Sequence, residues 1–278
     1  MKRQRLNWQE KVRKNVRKIM DFEHVKAVFE EYLNGYDREN DKVKLKIVHT
    51  YGVIRCSEEI GRRMGLQAED MELAKLIALL HDIGRFEQLK RFNSFEADTM
   101  DHATYGVKVL FEEGMIRQFI EEDTWDDVIR TAIAKHSDYE LTGITDERTL
   151  LHARLIRDAD KLDNCRVKLE DAMETLLDLS ADEVGKYAIS PKVREDAFAG
   201  KCICSKDRRT PMDYWVSYVA YFYDLNFQET LDIVAEEQYV KRIIGRVPYT
   251  NEQTKKTMEE LERQLTAVSY THLTLPTT

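Results

Sequence analysis

The segment LIALLHDIGRFEQ, residues 76–88, decides how this chain is organised. An apolar helical run ends there in the adjacent pair His81–Asp82, and Gly84 follows closely. Neighbouring side chains in a regular helix point about 100° apart, so both members of the pair can face one ion only where the helix ends. We expect Gly84 to supply that end. Imidazole beside a carboxylate is a typical ligand pair for divalent metals, so the segment predicts a metal site at a helix terminus.

The sequence on either side of this segment also predicts helices. Only 4 Pro and 11 Gly interrupt the 278 residues, and this composition favours an all-α fold. No stretch shows the clear alternation of a β-strand. The predicted elements are a helix over 42–64 ended by Gly65, a helix over 68–81, a loop over 85–99, a helix over 101–111, a helix from about 123 to 136, and one long or two abutting helices over 149–179.

The chain is expected to divide into four parts. The last part, VSYTHLTLPTT, is uncharged and Thr-rich, and it resembles the translation of a sequencing-library adapter. We therefore exclude it from the fold, His272 included. The basic stretch over 2–20 is expected to be a solvated helix with a thin apolar stripe. The predicted parts are N-terminal helices packing on the bundle, 1–38; the core, 39–180; a C-terminal helical layer, 181–267; and the adapter-like tail, 268–278.

Composition and charge exclude several classes of protein. The net charge of −8 opposes a general nucleic-acid coat, although a local site for one phosphate is compatible with it. No apolar run approaches the length that spans a bilayer, and no signal-peptide segment follows the start. The 4 cysteines are too few and too scattered for a secreted disulfide scaffold. We therefore expect a cytoplasmic protein.

Other residues of metal-binding type stand at helix ends or in acidic clusters. His49 lies in KIVHTYGVIR, and Asp160 lies in the acidic segment IRDADKLD of an otherwise apolar helix. Asp163 and Asn164 fall on the same helical face as Asp160, so they are predicted to orient ligands rather than to bind directly. The remaining candidates are His102 and His136.

The order and spacing of His49, the His81–Asp82 pair and Asp160 on successive helices resemble the HD superfamily of metal-dependent phosphohydrolases. The resemblance covers about 42–170. In that family these residues bind a metal inside a helical bundle, and members hydrolyse phosphomonoesters, nucleotides, cyclic dinucleotides or alarmones. The resemblance implies an all-α HD-domain helical bundle with additional N- and C-terminal helices, and an enzyme of this hydrolase class.

Two further strings bear on the subgroup. His102 in DHATYG and His136 in AKHS stand where the binuclear subgroup places its extra histidines. The resemblance thus implies one or two divalent ions, with Mn, Fe, Mg, Co, Ni and Zn all open. The HDIG string resembles HD-GYP phosphodiesterases, yet the His-His-Glu and Gly-Tyr-Pro strings of that group are missing after His136. Alarmone hydrolases carry an acidic pair where Gly84–Arg85 stands here.

The predicted reaction is hydrolysis of a phosphoester of a nucleotide or another small phosphorylated metabolite by metal-activated water. Asp82 would bridge two ions, and Arg85 would bind the phosphate and stabilise its charge in the transition state. Lys46 and Lys161 are weaker candidates for phosphate binding. The alternatives are a cyclic-dinucleotide phosphodiesterase and a non-catalytic regulatory HD module. Neither a membrane nor bulk nucleic acid is an expected partner, and a homodimer is compatible with the sequence.

Overall fold

The computed structural model describes residues 20–96 and 98–272, and these residues form an all-helical fold without a strand. The predicted basic helix over 2–20 lies outside the described residues except for Met20, and so does the end of the tail, 273–278. The helices are α1 (Phe22–Leu33), α2 (Asp41–Met64), α3 (Ala68–Leu80), α4 (Ile83–Phe92), α5 (His102–Val107), α6 (Ile116–Phe119), α7 (Asp126–Lys135), α8 (Glu147–Glu170), α9 (Met173–Leu177), α10 (Ala181–Val184), α11 (Pro191–Phe198), α12 (Pro211–Ala220), α13 (Gln228–Glu236), α14 (Tyr239–Ile244) and α15 (Glu252–His272).

The two longest helices of the core, α2 and α8, pack against each other, and α3 and α7 pack on this pair. Each long helix begins with a side-chain cap. Asn40 accepts hydrogen bonds from the backbone of the first turn of α2, and Asp146 does the same for α8. Gly65 ends α2 in the left-handed conformation, with φ of 71°, as the sequence predicts. These caps fix where α2 and α8 begin, and hence which faces of the helices meet in the core.

The break after α3 falls at the His81–Asp82 pair itself. α3 ends at Leu80, Asp82 has φ of −105° and ψ of 18°, and α4 begins at the next residue. The expectation that Gly84 closes the helix and that a loop follows over 85–99 was therefore wrong. Buried apolar residues recur at helical spacing beyond the break, so this segment packs as a helix. The buried residues are Ile83, Phe86 and Leu89.

Gly84 has a different use, in the close packing of α4 against α5. A Cβ atom at Gly84 would lie 2.1 Å from the backbone oxygen of His102 and 2.8 Å from the backbone nitrogen of Gly106. Only a residue without a side chain permits this approach. The contact brings the first turn of α5, and with it His102, next to Asp82.

The C-terminal layer is attached to α8 by two adjacent buried residues. The Asp158 carboxylate accepts hydrogen bonds from the backbone of Asn226 and Phe227 and from the hydroxyl of Thr230. Arg157 donates to the Asp224 carboxylate at 2.5 Å and to backbone oxygens at the end of α7. Buried charges that are satisfied in this way hold the layer in one position.

The last helix, α15, packs on α11, α13 and α14 and continues to His272, beyond the point where the sequence loses its charges. Among the residues that the structure describes, no helix combines the length and the apolar character that crossing a membrane requires.

Candidate metal centre

Four histidine rings and two carboxylates meet where α2, α3, α5, α7 and α8 converge. The centroids of the His49 and His81 rings are 5.8 Å apart, those of His81 and His136 are 5.2 Å apart, and those of His102 and His136 are 5.1 Å apart. The six side chains that the sequence nominates as ligands thus form one cluster. These are His49, His81, Asp82, His102, His136 and Asp160.

His49 is held between two carboxylates of α8. Its Nδ1 lies 2.8 Å from Oδ2 of Asp163, and its Nε2 lies 2.9 Å from Oδ1 of Asp160. Asn164 donates from its amide to the same Oδ1 of Asp160 at 3.0 Å. Asp163 and Asn164 therefore contact the side chains that the sequence expects them to orient.

His81 and His136 have the same orientation at the ends of their helices. Nδ1 of His81 donates to the backbone oxygen of Ala78, and Nδ1 of His136 donates to that of Ile133, each at 2.7 Å. Because a carbonyl oxygen only accepts, each Nδ1 carries a proton, and in the neutral ring the Nε2 then presents a lone pair. Both lone pairs face the cluster.

His102 completes a group of acceptors around Asp82. Its Nε2 lies 2.9 Å from a guanidinium nitrogen of Arg85, which only donates, so this Nε2 also presents a lone pair. It stands 3.2 Å from Nε2 of His136 and 3.2 Å from Oδ1 of Asp82. Nε2 of His136 is 3.6 Å from the same oxygen. Acceptor atoms this close repel one another unless a cation lies among them.

The protonation states suit metal binding. Burial lowers the pKa of His81 to about 4, and burial followed by the Arg85 guanidinium lowers the pKa of His102 to about 3, so both rings are neutral at pH 7. Burial alone would raise the pKa of Asp82, yet the Lys46 ammonium and the surrounding histidines hold it well below its usual range. Burial alone would also raise the pKa of Asp160, yet the contact with His49 and the charges of His49, His81 and Lys46 together lower it.

The cluster fits divalent ions. His49, His81 and Asp160 form one group whose ligand atoms lie within 4.8 Å of one another, and His81, Asp82 and His136 form a second. Among the described residues, His81 Nε2 and Asp82 Oδ1 are buried atoms without a hydrogen-bond partner. Unsatisfied buried acceptors are costly, and an ion coordinated by them removes that cost. Neutral imidazoles with carboxylates suit Mn, Fe, Co, Ni or Zn.

The three basic residues nominated from the sequence lie at different places around this cluster. Lys46 donates to Oδ2 of Asp82 at 2.6 Å. The side chain of Arg85 is 13% exposed, and besides His102 it donates to the side chain of Gln88 and to the backbone oxygen of Phe95. Lys161 forms an ion pair with Asp224 at 2.7 Å. Their roles in substrate binding stay predictions.

The sequence did not nominate Lys168, which lies about two turns beyond Asp160 on α8. Its side chain is buried on α8, and its ammonium lies over the ring of Tyr218 in the C-terminal layer. A single lysine in a charged helix carries no sequence signal, because only the docking of the C-terminal layer buries it.

Comparison with known proteins agrees with this geometry. Residues 47–165 match the family model of the HD domain, and all six members of the cluster lie within the match. No curated protein and no solved structure gives a significant match. A helical core with this cluster defines an HD domain, the domain of a family that binds divalent metals and consists mostly of metal-dependent phosphohydrolases. Residues 47–165 of the chain are an HD domain.

Proposed function

We propose that this HD-domain protein is a metal-dependent phosphohydrolase that cleaves a phosphoester of a nucleotide or another small phosphorylated metabolite. The observation that carries the proposal is the approach of Oδ1 of Asp82 and the Nε2 atoms of His102 and His136, beside a second group at His49, His81 and Asp160. Two adjacent ion positions are typical of phosphoester hydrolysis. Divalent ions held there supply Lewis acidity, which makes water nucleophilic near neutral pH and neutralises charge on the phosphate.

Access to the cluster is from the side of Asp160. The side chain of Asp160 is 24% exposed, whereas that of His102 is 9% exposed and those of the other members are 3% exposed or less. A substrate therefore approaches along α8, and the buried members exclude water from the rest of the site. The low exposure strengthens every electrostatic interaction with a bound phosphate.

Positive groups of the chain lie around this opening. Lys46 keeps Asp82 ionised and adds positive charge next to the reacting phosphate. Arg85 lies with one nitrogen at His102 and Nε at 3.7 Å from Asp82. Its planar donor group can bind phosphate oxygens once His102 has another partner.

The test is metal analysis together with a hydrolysis panel. The purified protein is assayed for phosphate release from nucleotides, sugar phosphates and cyclic dinucleotides with Mn, Mg, Co or Ni. His81→Ala and Asp82→Ala are compared with His24→Ala, which removes an exposed histidine of α1. We expect metal-dependent turnover in the wild type and in His24→Ala, and a loss of at least about 100-fold in the two cluster variants.

Other outcomes separate the alternatives. Turnover of cyclic dinucleotides alone would identify a phosphodiesterase. Bound metal without turnover on the panel would favour a regulatory module. Absence of metal binding would overturn the proposal.

A further inference from the structure

Lys168 is a buried cation without a counter-ion. Its residue is 7% exposed, and its Nζ lies 3.8 Å from the centroid of the Tyr218 ring. Among the described residues, its Nζ takes part in no hydrogen bond and no ion pair. A buried ammonium in this state is destabilising unless an anion pairs with it or it releases its proton.

The other cations around the opening are already paired. Lys46 contacts Asp82 at 2.6 Å, Lys161 contacts Asp224 at 2.7 Å, and Arg208 lies 3.9 Å from Glu96. Lys168 thus differs from each of them in having positive charge that the chain does not neutralise.

Two of the groups whose charge acts on Lys168, Lys46 and Asp160, are parts of the metal centre. Burial lowers the pKa of Lys168 to about 7, repulsion by Lys46 adds to the shift, and attraction by Asp160 opposes it. Both of these groups are parts of the site described above. An anion bound beside Asp160 would add the attraction that Lys168 lacks within the chain.

Lys168 lines a small, mostly apolar cavity, and none of the six cluster residues belongs to that lining. The lining includes Lys161, Asn164, Lys168, Tyr218 and Tyr221. Asn164 is hydrogen-bonded to Asp160, the ligand on the open side. The C-terminal layer provides the two tyrosines, so this layer, which has no motif of its own, forms one wall of the cavity.

We propose that Lys168 binds an anionic oxygen of the substrate phosphate, and that the site thereby selects dianionic phosphomonoesters over phosphodiesters. The part of this inference that concerns selection among substrates rests on the proposed function. A phosphomonoester carries about two negative charges at neutral pH and has three non-bridging oxygens, whereas a diester has one charge and two such oxygens. The third oxygen is the partner that the buried ammonium lacks.

The direct test is the binding of inorganic phosphate to the Mn-loaded full chain, measured by calorimetry. Lys168→Gln and Lys168→Met are expected to weaken binding by about 10-fold to 100-fold, since a charge-assisted hydrogen bond is lost. Lys168→Arg should restore part of the affinity. Lys255→Gln, at an exposed position of α15, should bind as the wild type does.

Thermal unfolding without phosphate shows whether the variants fold. Lys168→Met should unfold at the same or a higher temperature than the wild type, because it removes an unpaired buried charge. Added phosphate should raise the unfolding temperature of the wild type and have a smaller effect on Lys168→Met. A stable variant that has lost phosphate binding cannot be explained by misfolding.

Turnover separates this inference from the proposed function. In Lys168→Gln the ratio of kcat/KM for a phosphomonoester to that for a diester should fall about 10-fold, chiefly through KM. If phosphate binding depends on Lys168 but no phosphoester is hydrolysed, the proposed function is contradicted. The assignment of Lys168 to phosphate binding would still stand. The inference would be overturned if the wild type did not bind phosphate. It would also be overturned if an active Lys168→Gln kept the wild-type phosphate affinity or the wild-type ratio of kcat/KM for a phosphomonoester to that for a diester.

Discussion

Asp163 accepts a hydrogen bond from His49: its Oδ2 lies 2.8 Å from Nδ1 of the ring, and both side chains are buried. This contact fixes the ring so that Nε2 faces Asp160, and it makes the imidazole a stronger ligand. Gly52 on α2 permits the contact, because a Cβ atom there would lie 1.9 Å from Oδ1 of Asp163.

Replacing Asp163 by Asn should weaken metal binding by about 10-fold to 100-fold, since the amide is a poorer acceptor for the ring proton. Competition with a coloured chelator measures the metal dissociation constant. Glu170→Gln is the matched control, because Glu170 is the other partner of Arg166 and does not contact His49. Equal metal affinity in Asp163→Asn and the control would contradict an orienting role.

Gly84→Ala should separate α4 from α5. The new methyl group would meet the backbone of α5 at His102, so we expect a loss of about 1–3 kcal/mol in the free energy of unfolding and a displaced ligand. Urea titration and metal content measure the two effects. At Gly35 an added Cβ atom would make only an ordinary contact, so Gly35→Ala should retain full metal content. A Gly84→Ala protein with wild-type stability would show that this close approach is unimportant.

Asp158→Ala should destabilise the attachment of the C-terminal layer. The substitution leaves the backbone donors of Asn226 and Phe227 and the hydroxyl of Thr230 without their acceptor. Unsatisfied buried donors of this kind predict a loss of about 3–5 kcal/mol. Urea unfolding gives the value, and Asp127→Ala, at a fully exposed carboxylate, should change it by less than about 0.5 kcal/mol. Similar losses in both variants would argue against the anchor.

The buried Lys168 predicts a pH dependence of stability in the absence of phosphate. Burial lowers its pKa to about 7 from the usual 10.5, so between these values the unfolded chain holds a proton that the folded chain has released. Stability should therefore rise with pH through this window, by at most about 1.4 kcal/mol per pH unit from this group. Unfolding of the wild type and Lys168→Met from pH 7 to 9 isolates the effect, because other groups titrate alike in both. Parallel profiles would contradict it.

The sequence predicted the elements that depend on local signals. The helix ended by Gly65 and the all-helical class follow from caps and composition, and the family match supports the HD assignment. The uncertain element over 149–179 is two helices, α8 and α9, because Asp171 leaves the helical conformation with ψ of 153°.

Features that depend on distant packing could not be predicted from the sequence. Gly84 is required because α5, which follows later in the chain, packs closely against it. In the sequence, a glycine that ends a helix looks the same as a glycine that permits two helices to pack closely. Lys168 likewise became a candidate only because Tyr218 lies over it. The six clustered side chains could be named from the sequence. The protonated nitrogen of the His81 and His136 rings could be assigned only from the backbone oxygens of Ala78 and Ile133.

Helix α8 carries the anchors of the C-terminal layer, Arg157 and Asp158, within one turn of Asp160, a candidate ligand. A displacement of α8 at one of these positions therefore also moves the other. Thermodynamic reciprocity then requires that, if ion binding at Asp160 favours the docked layer, docking of the layer favours ion binding by the same factor. Through its attachment to α8, the C-terminal layer is positioned so that its docking and ion binding at Asp160 can favour each other.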